Sequence, residues 1–175
     1  MNNTRILLSI DPGKVNMGYS ITEYKNNTVC ILKVGMIQNT IQDLKGYNIK
    51  PVVLAFNKEI CALIRKFKVT EVTMERFVSR GLLGSLSEFI CIMQGILAIN
   101  TRIKVFNLVM AATWKNAFNK NYNLKDFYKE AKAKQIEPHE IDAVLIGLYF
   151  LNKDLFFRLA KKKSREALLI RIAKR

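Results

Sequence analysis

Cysteine is sparse in this chain, and the three present, Cys30, Cys61 and Cys91, are far apart in apolar surroundings. An odd, dispersed set excludes a disulfide framework and reads as reduced core residues in a reducing compartment, rather than metal ligands. Long apolar runs are also missing, and none approaches the length that spans a bilayer. The opening MNNTR lacks the basic-then-apolar order of a secretory leader, so an intracellular, cytoplasmic protein is expected. No repeat, low-complexity tract or linker divides the 175 residues, and half of them are apolar, enough for one full core. Acid is scarce as well: 14 Asp and Glu stand against 29 Lys and Arg, a net charge of +15 with a pI of about 9.9. That imbalance calls for a polyanionic partner, nucleic acid ahead of an anionic membrane. The membrane alternative rests on the basic segment after Asn152. Its Leu155, Phe156, Leu159, Leu168, Leu169 and Ile172 suit one helical face, which reads first as a core-packing helix with a solvated basic side. Lys161, Lys162 and Lys163 of that segment are candidate phosphate contacts.

What is present is ordered. Residues 5–11, 17–25 and 28–37 have the branched, alternating composition of three strands, turning at Asn26-Asn27. A helix is expected over 51–67, with Pro51 at its first position and apolar residues at helical spacing. "KVTEVTME" alternates as a fourth strand. An apolar helix over 85–99, a strand over 103–108 and a helix from about 110 follow. Then come helices over 123–135 and 139–151, divided at Glu137-Pro138, and the basic tail helix. Strands first, then strands alternating with helices, specify an α/β domain with a mixed sheet. The loops over 38–50 and 76–84 are long, and the second carries Arg76 and Arg80 as candidate substrate contacts.

Two strands end on acids. Asp11 in "SIDPGKVNMGYS" closes the first, directly before a Pro-Gly turn, and Glu75 closes the fourth. Asp11 either caps its own turn or holds something charged, because a buried lone carboxylate is costly without a compensating partner. If the two strands are parallel neighbours, both carboxylates converge at one sheet edge, where an oxygen-rich site favours Mg²⁺ or Mn²⁺. "PHEIDAVLIG" adds His139 and Asp142 at i and i+3 near a helix start. Glu140 and Asp142 also suit the helix dipole, but His139, the one histidine in the chain, needs another account. Three acids and a histidine would form a two-metal site for attack of water on a phosphodiester. In a strongly basic chain, that suits nuclease chemistry.

"ILLSIDPGKVNMGYS", "VTEVTMERF", "FICIMQGILAI" and "HEIDAVLIG", in this order, resemble the RuvC-type Holliday junction resolvases of the RNase H-like superfamily, over residues 5 to 151. The resemblance implies an RNase H-like fold with a mixed five-stranded sheet flanked by helices. It also implies that Asp11, Glu75, His139 and Asp142 are the metal-binding catalytic set, for two ions of Mg²⁺ or Mn²⁺ per site. His139 places the chain with the histidine-bearing, phage- or virus-like members. Gln94-Gly95 resembles the segment where the family's helix packs near the sheet and the dimer surface, and it is assigned no catalytic role. "ATWKNAFNKN" resembles the W-K-x-x-F stretch of phage and viral relatives, with Trp114 in the core and Lys115 a phosphate contact. "ERFVSRG" departs from the stretch that carries the junction-wedging aromatic of bacterial members, and Phe77 is its candidate for DNA contact.

The expectation is therefore a nuclease domain over 1–152 with a basic helix over 153–175. It would be a metal-dependent endonuclease resolving four-way DNA junctions by paired nicks, as a homodimer formed through helix 85–99. The setting would be a bacterial cell, a phage-infected host or a virus. Rival expectations are an RNase H-like nuclease acting on flaps, other branched DNA or RNA, and a basic architectural protein without catalysis. An actin-like ATPase is disfavoured by length and by the lack of a second glycine-rich phosphate loop.

Overall fold

The first strand carries bulky apolar residues toward one layer and a smaller set toward the other, and this asymmetry shapes the protein. The computed structural model describes residues 4–39, 49–76 and 85–174. β1 (Arg5–Asp11) turns Leu8 and Ile10 into a core with α1 (Lys50–Phe67) and α2 (Ser85–Ala98). Strand alternation then sends Leu7, Ser9 and Asp11 to the opposite face. β2 (Asn16–Lys25) and β3 (Thr28–Gln38) follow antiparallel. Their turn residues Asn26 and Asn27 both have positive φ, 49° and 59°, which asparagine tolerates and a hairpin turn requires. β4 (Glu71–Arg76) and β5 (Val105–Met110) add parallel to β1, giving the order β3-β2-β1-β4-β5. This is the expected mixed five-stranded sheet.

The second layer holds α3 (Ala111–Asn119), α4 (Leu124–Lys132), α5 (Pro138–Leu151), α6 (Lys153–Arg158) and α7 (Lys162–Ala173). α5 lies directly on β1 and β2 because small residues face it. The Ser9 and Ser20 hydroxyls meet at 2.6 Å, and Ser20 Oγ donates to the Ala143 carbonyl at 3.4 Å. A Cβ at Gly147 would come within 2.6 Å of Ser9 Oγ. The helix is consequently buried from Ile141 to Leu148, which accounts for its nearly continuous apolar composition.

The tail departs from the expected single helix. α6 and α7 are separate, and the reason is Arg165, a buried guanidinium that donates to the carbonyls of Leu159 (3.1 Å) and Ala160 (2.7 Å). Those carbonyls lie at the end of α6, where a helix leaves acceptors without internal partners. Arg165 also pairs with Glu130 of α4 and stacks over Tyr122 at 3.5 Å from the ring centre. Phe156, Leu159, Leu168, Leu169 and Ile172 enter the same core as α5. Expectation also fails for one cysteine: Cys30 and Cys61 are half-buried, but Cys91 is exposed on α2. That helix is apolar on both sides, and it turns Ile92 outward as well.

Candidate active site

Parallel pairing of Ile10 with Met74 makes Asp11 and Glu75 the next residues of adjacent strands, and alternation points both toward the α5 layer. β5 pairs Met110 with Arg76, and α3 begins at the next residue. One turn into α3, the Trp114 indole N–H donates to Glu75 Oε2 at 3.0 Å. Beside it, Lys115 Nζ lies 3.2 Å from Asp142 Oδ2 and 3.9 Å from Glu75 Oε2.

α5 brings the other two residues. Pro138 occupies its first turn, and the Glu140 carboxylate accepts the Glu137 backbone N–H at 3.1 Å, which fixes the helix start. Glu140 thus serves the helix terminus, while Asp142 turns inward and is buried. His139 reaches Asp11, its Nδ1 2.5 Å from Asp11 Oδ2. The Tyr128 hydroxyl of α4 donates to Asp142 Oδ1 at 2.5 Å. α4 is set in place by Asn123, whose side chain accepts from Lys125 N, and by Asn119, which accepts from Leu124 N, both at 2.9 Å.

The charges are in tension. Burial, then the neighbouring acids Asp11 and Asp142, hold the Glu75 carboxyl above its ordinary value against the pull of Lys115 and Trp114. Burial and Asp11 raise Asp142 likewise, against Lys115 and Tyr128. The hydrogen bond to Asp11 raises His139 more than burial lowers it. Burial would lower Lys115, but Asp142 and Glu75 outweigh it, so its ammonium persists. Tyr128 is pushed far upward by burial and by Asp142, and it remains a donor.

Among the described residues, no three His, Cys, Asp or Glu side chains are gathered as tightly as a bound ion requires. The Lys115 ammonium stands between two of the acids. The donor set still fits a hard divalent cation: three carboxylates and an imidazole, with two of the carboxyls held upward by burial and by the neighbouring acids.

The structure brings Asp11, Glu75, His139, Asp142 and Lys115 together. Arg76 is exposed at the end of β4, and Phe77 and Arg80 lie outside the described residues. Lys161, Lys162 and Lys163 are exposed around the start of α7, where Lys162 pairs with Glu166 at 3.8 Å. A cleft lined by Lys115, Asn119, Asn123, Leu124, Lys125 and Tyr128 adjoins the acids. A larger cleft, between the β2–β3 turn and α6, contains none of them. Sequence reasoning missed Tyr128 altogether and gave Trp114 a packing role alone. Trp114 is indeed fully buried, but the W-K pair carries both an indole donor and a cation to the acids.

The sequence profile described as Crossover junction endodeoxyribonuclease RuvC matches residues 7–101, a stretch that contains Asp11 and Glu75. Among curated proteins, none matches the chain significantly. Among solved structures, Thermus thermophilus RuvC in complex with a Holliday junction substrate is 16% identical, with 82% of this chain and 90% of that chain covered and a TM-score of 0.59. A second Thermus thermophilus RuvC structure is 15% identical over 82% and 91% of the two chains, with a TM-score of 0.61. The fowlpox virus Holliday junction resolvase is 18% identical over 85% and 98%, with a TM-score of 0.52. At such identities the likeness is one of fold. The profile, running from β1 past the end of α2 over more than half of the chain, decides the family: this protein belongs to the RuvC family.

Proposed function

We propose that this protein is a metal-dependent, structure-selective DNA endonuclease that resolves four-way junctions by paired nicks as a homodimer. The observation that carries the reading is the convergence of Asp11, Glu75 and Asp142 with His139 and Lys115 at one sheet edge of a strongly basic chain. Membership of the RuvC family supports it, as do the junction-bound and viral resolvases that share the fold.

Asp11, Glu75, Asp142 and His139 would hold Mg²⁺ or Mn²⁺, as two ions, which supply charge stabilisation and activation of water. Lys115, already drawn to the carboxylates, would turn its ammonium to a phosphate oxygen of the cut strand. His139, its Nδ1 held by Asp11, has Nε2 left either to ligate one ion or, in place of that, to orient the attacking water or the leaving oxygen. Arg76, Phe77, Arg80 and the lysines 161–163 are assigned to DNA positioning without base readout, so affinity falls steeply with salt. Residues 1–152 are assigned as the nuclease unit and 153–175 as its helical extension.

Two symmetric strands must be cut, so each copy contributes one site. The exposed Ile92 of α2, aligned with Ile99 just beyond the helix, offers an apolar surface for a second copy. The test is nicking of a synthetic four-way junction, a duplex, a flap and an RNA–DNA hybrid, with Mg²⁺ or with EDTA, by wild type and Asp11→Asn. Paired nicking of the junction by wild type with Mg²⁺ alone is expected. Preference for the flap or hybrid would favour another RNase H-like nuclease, and binding without cleavage would favour an architectural protein.

A further inference from the structure

Two donors at the site belong to no expected catalytic set. Trp114 and Tyr128 come from different helices, α3 and α4, and each reaches a different carboxylate. Trp114 is fully buried, so its N–H has no water to turn to, and it meets Glu75 Oε2 at 3.0 Å. Tyr128 takes Asp142 Oδ1, leaving Oδ2 directed at the Lys115 ammonium, 3.2 Å away. The two oxygens of Asp142 therefore have separate tasks. One is tied to the protein frame, and the other faces the position where positive charge already collects.

We propose that Trp114 and Tyr128 are positioning residues that fix the Glu75 and Asp142 carboxylates for a divalent cation taking the place now held by the Lys115 ammonium. This rests on the metal-dependent reading above. Carboxylates in a crowded acidic site repel one another and turn apart unless held. On Asp142 the phenol holds the far oxygen and resists that rotation without competing for the cation, as outer partners of metal ligands do; on Glu75 the indole holds Oε2, the oxygen that also faces Lys115, and so fixes the orientation of the carboxylate. Neither residue touches substrate in this account.

Trp114 is the one tryptophan in the chain, so its emission reports on Glu75 directly. Paramagnetic Mn²⁺ should quench that emission in the wild-type protein and fail to do so with the same midpoint in Asp11→Asn. In Tyr128→Phe the quenching midpoint should rise on the order of tenfold, the usual cost of losing an outer partner of a metal ligand. Trp114→Phe keeps a ring in the buried position without an N–H, and its Mn²⁺ affinity, read by calorimetry, should fall by a similar factor. Unfolding midpoints in EDTA are measured for both variants. A role confined to packing would lower those midpoints and leave Mn²⁺ affinity unchanged, which overturns the proposal. If the wild-type protein shows no saturable Mn²⁺ binding, the metal-dependent reading falls and this role falls with it. If wild type binds, Asp11→Asn does not, and both variants bind as wild type does, the positioning role alone is rejected.

Discussion

The backbone carbonyl of His139 rests on Gly18, so closely that a Cβ at residue 18 would lie 2.0 Å from that oxygen. Gly18 is also the register partner of Asp11, so the glycine that seats the start of α5 on the sheet is the one beside the first carboxylate. Gly18→Ala must lift α5, at about 1–3 kcal/mol for forced overpacking. It should also separate His139 from Asp11. Urea denaturation with junction nicking checks this, and an alanine variant that keeps both stability and cutting would refute the close-seating account.

Lys115 offsets the charge of Glu75 and Asp142 in the protein without metal. Lys115→Met leaves those acids facing one another. The ammonium is about one-third exposed, so the loss in EDTA should be roughly 1–2 kcal/mol, below the cost of breaking a fully buried pair. Millimolar Mg²⁺ should return much of that stability without restoring normal cutting. Thermal melts with and without Mg²⁺ measure it, and an equal loss in both would speak against a shared position for ammonium and cation.

The pH dependence has an unusual sign. Glu75 and Asp142 are raised in the folded protein, so the fold holds their protons more tightly than the unfolded chain does. Their contribution to stability is present in acid and is lost as pH rises from the ordinary carboxylate range, about 4, through their raised values. His139 acts in the same direction from about pH 6.5 upward. Glu130 opposes them. Burial would raise it, but hydrogen bonds from Arg165 and Tyr122 outweigh that, so its contribution is lost as pH falls. Melting temperature in EDTA should therefore decline with rising pH more steeply in wild type than in Glu75→Gln. Divalent-ion affinity should rise with pH as protons cease to compete. A Glu75→Gln profile parallel to wild type would contradict the assignment.

Ile92 is 41% exposed on the outer face of α2. If the proposed homodimer forms through this face, Ile92→Asp should sediment as a monomer and lose paired nicking, while its melting temperature stays within about 2 °C of wild type when both are compared at concentrations too low for association. A variant that sediments as wild type would move the interface elsewhere.

Much of this was legible in the amino-acid order. The branched run before Asp11, the alternation leading to Glu75, the Asn-Asn turn and the Glu137-Pro138 helix start are local signals. Each arises from backbone preference or from the two-residue period of a strand, which any short window contains. Their places at strand ends already brought Asp11 and Glu75 to one edge of the sheet, once the strands were taken as parallel neighbours. The break between α6 and α7 was not legible, because it depends on Arg165 finding Glu130 and Tyr122 on the packed α3–α4 region. Nor was the company of the acids. Trp114 lies 39 residues from Glu75 and Tyr128 lies 14 from Asp142, separations at which no periodicity survives. Residue types and strand ends determined that acids would gather at a sheet edge. Only tertiary packing decided that an indole, a phenol and an ammonium would meet them there, because those contacts follow from how α3, α4 and α5 stack on the sheet.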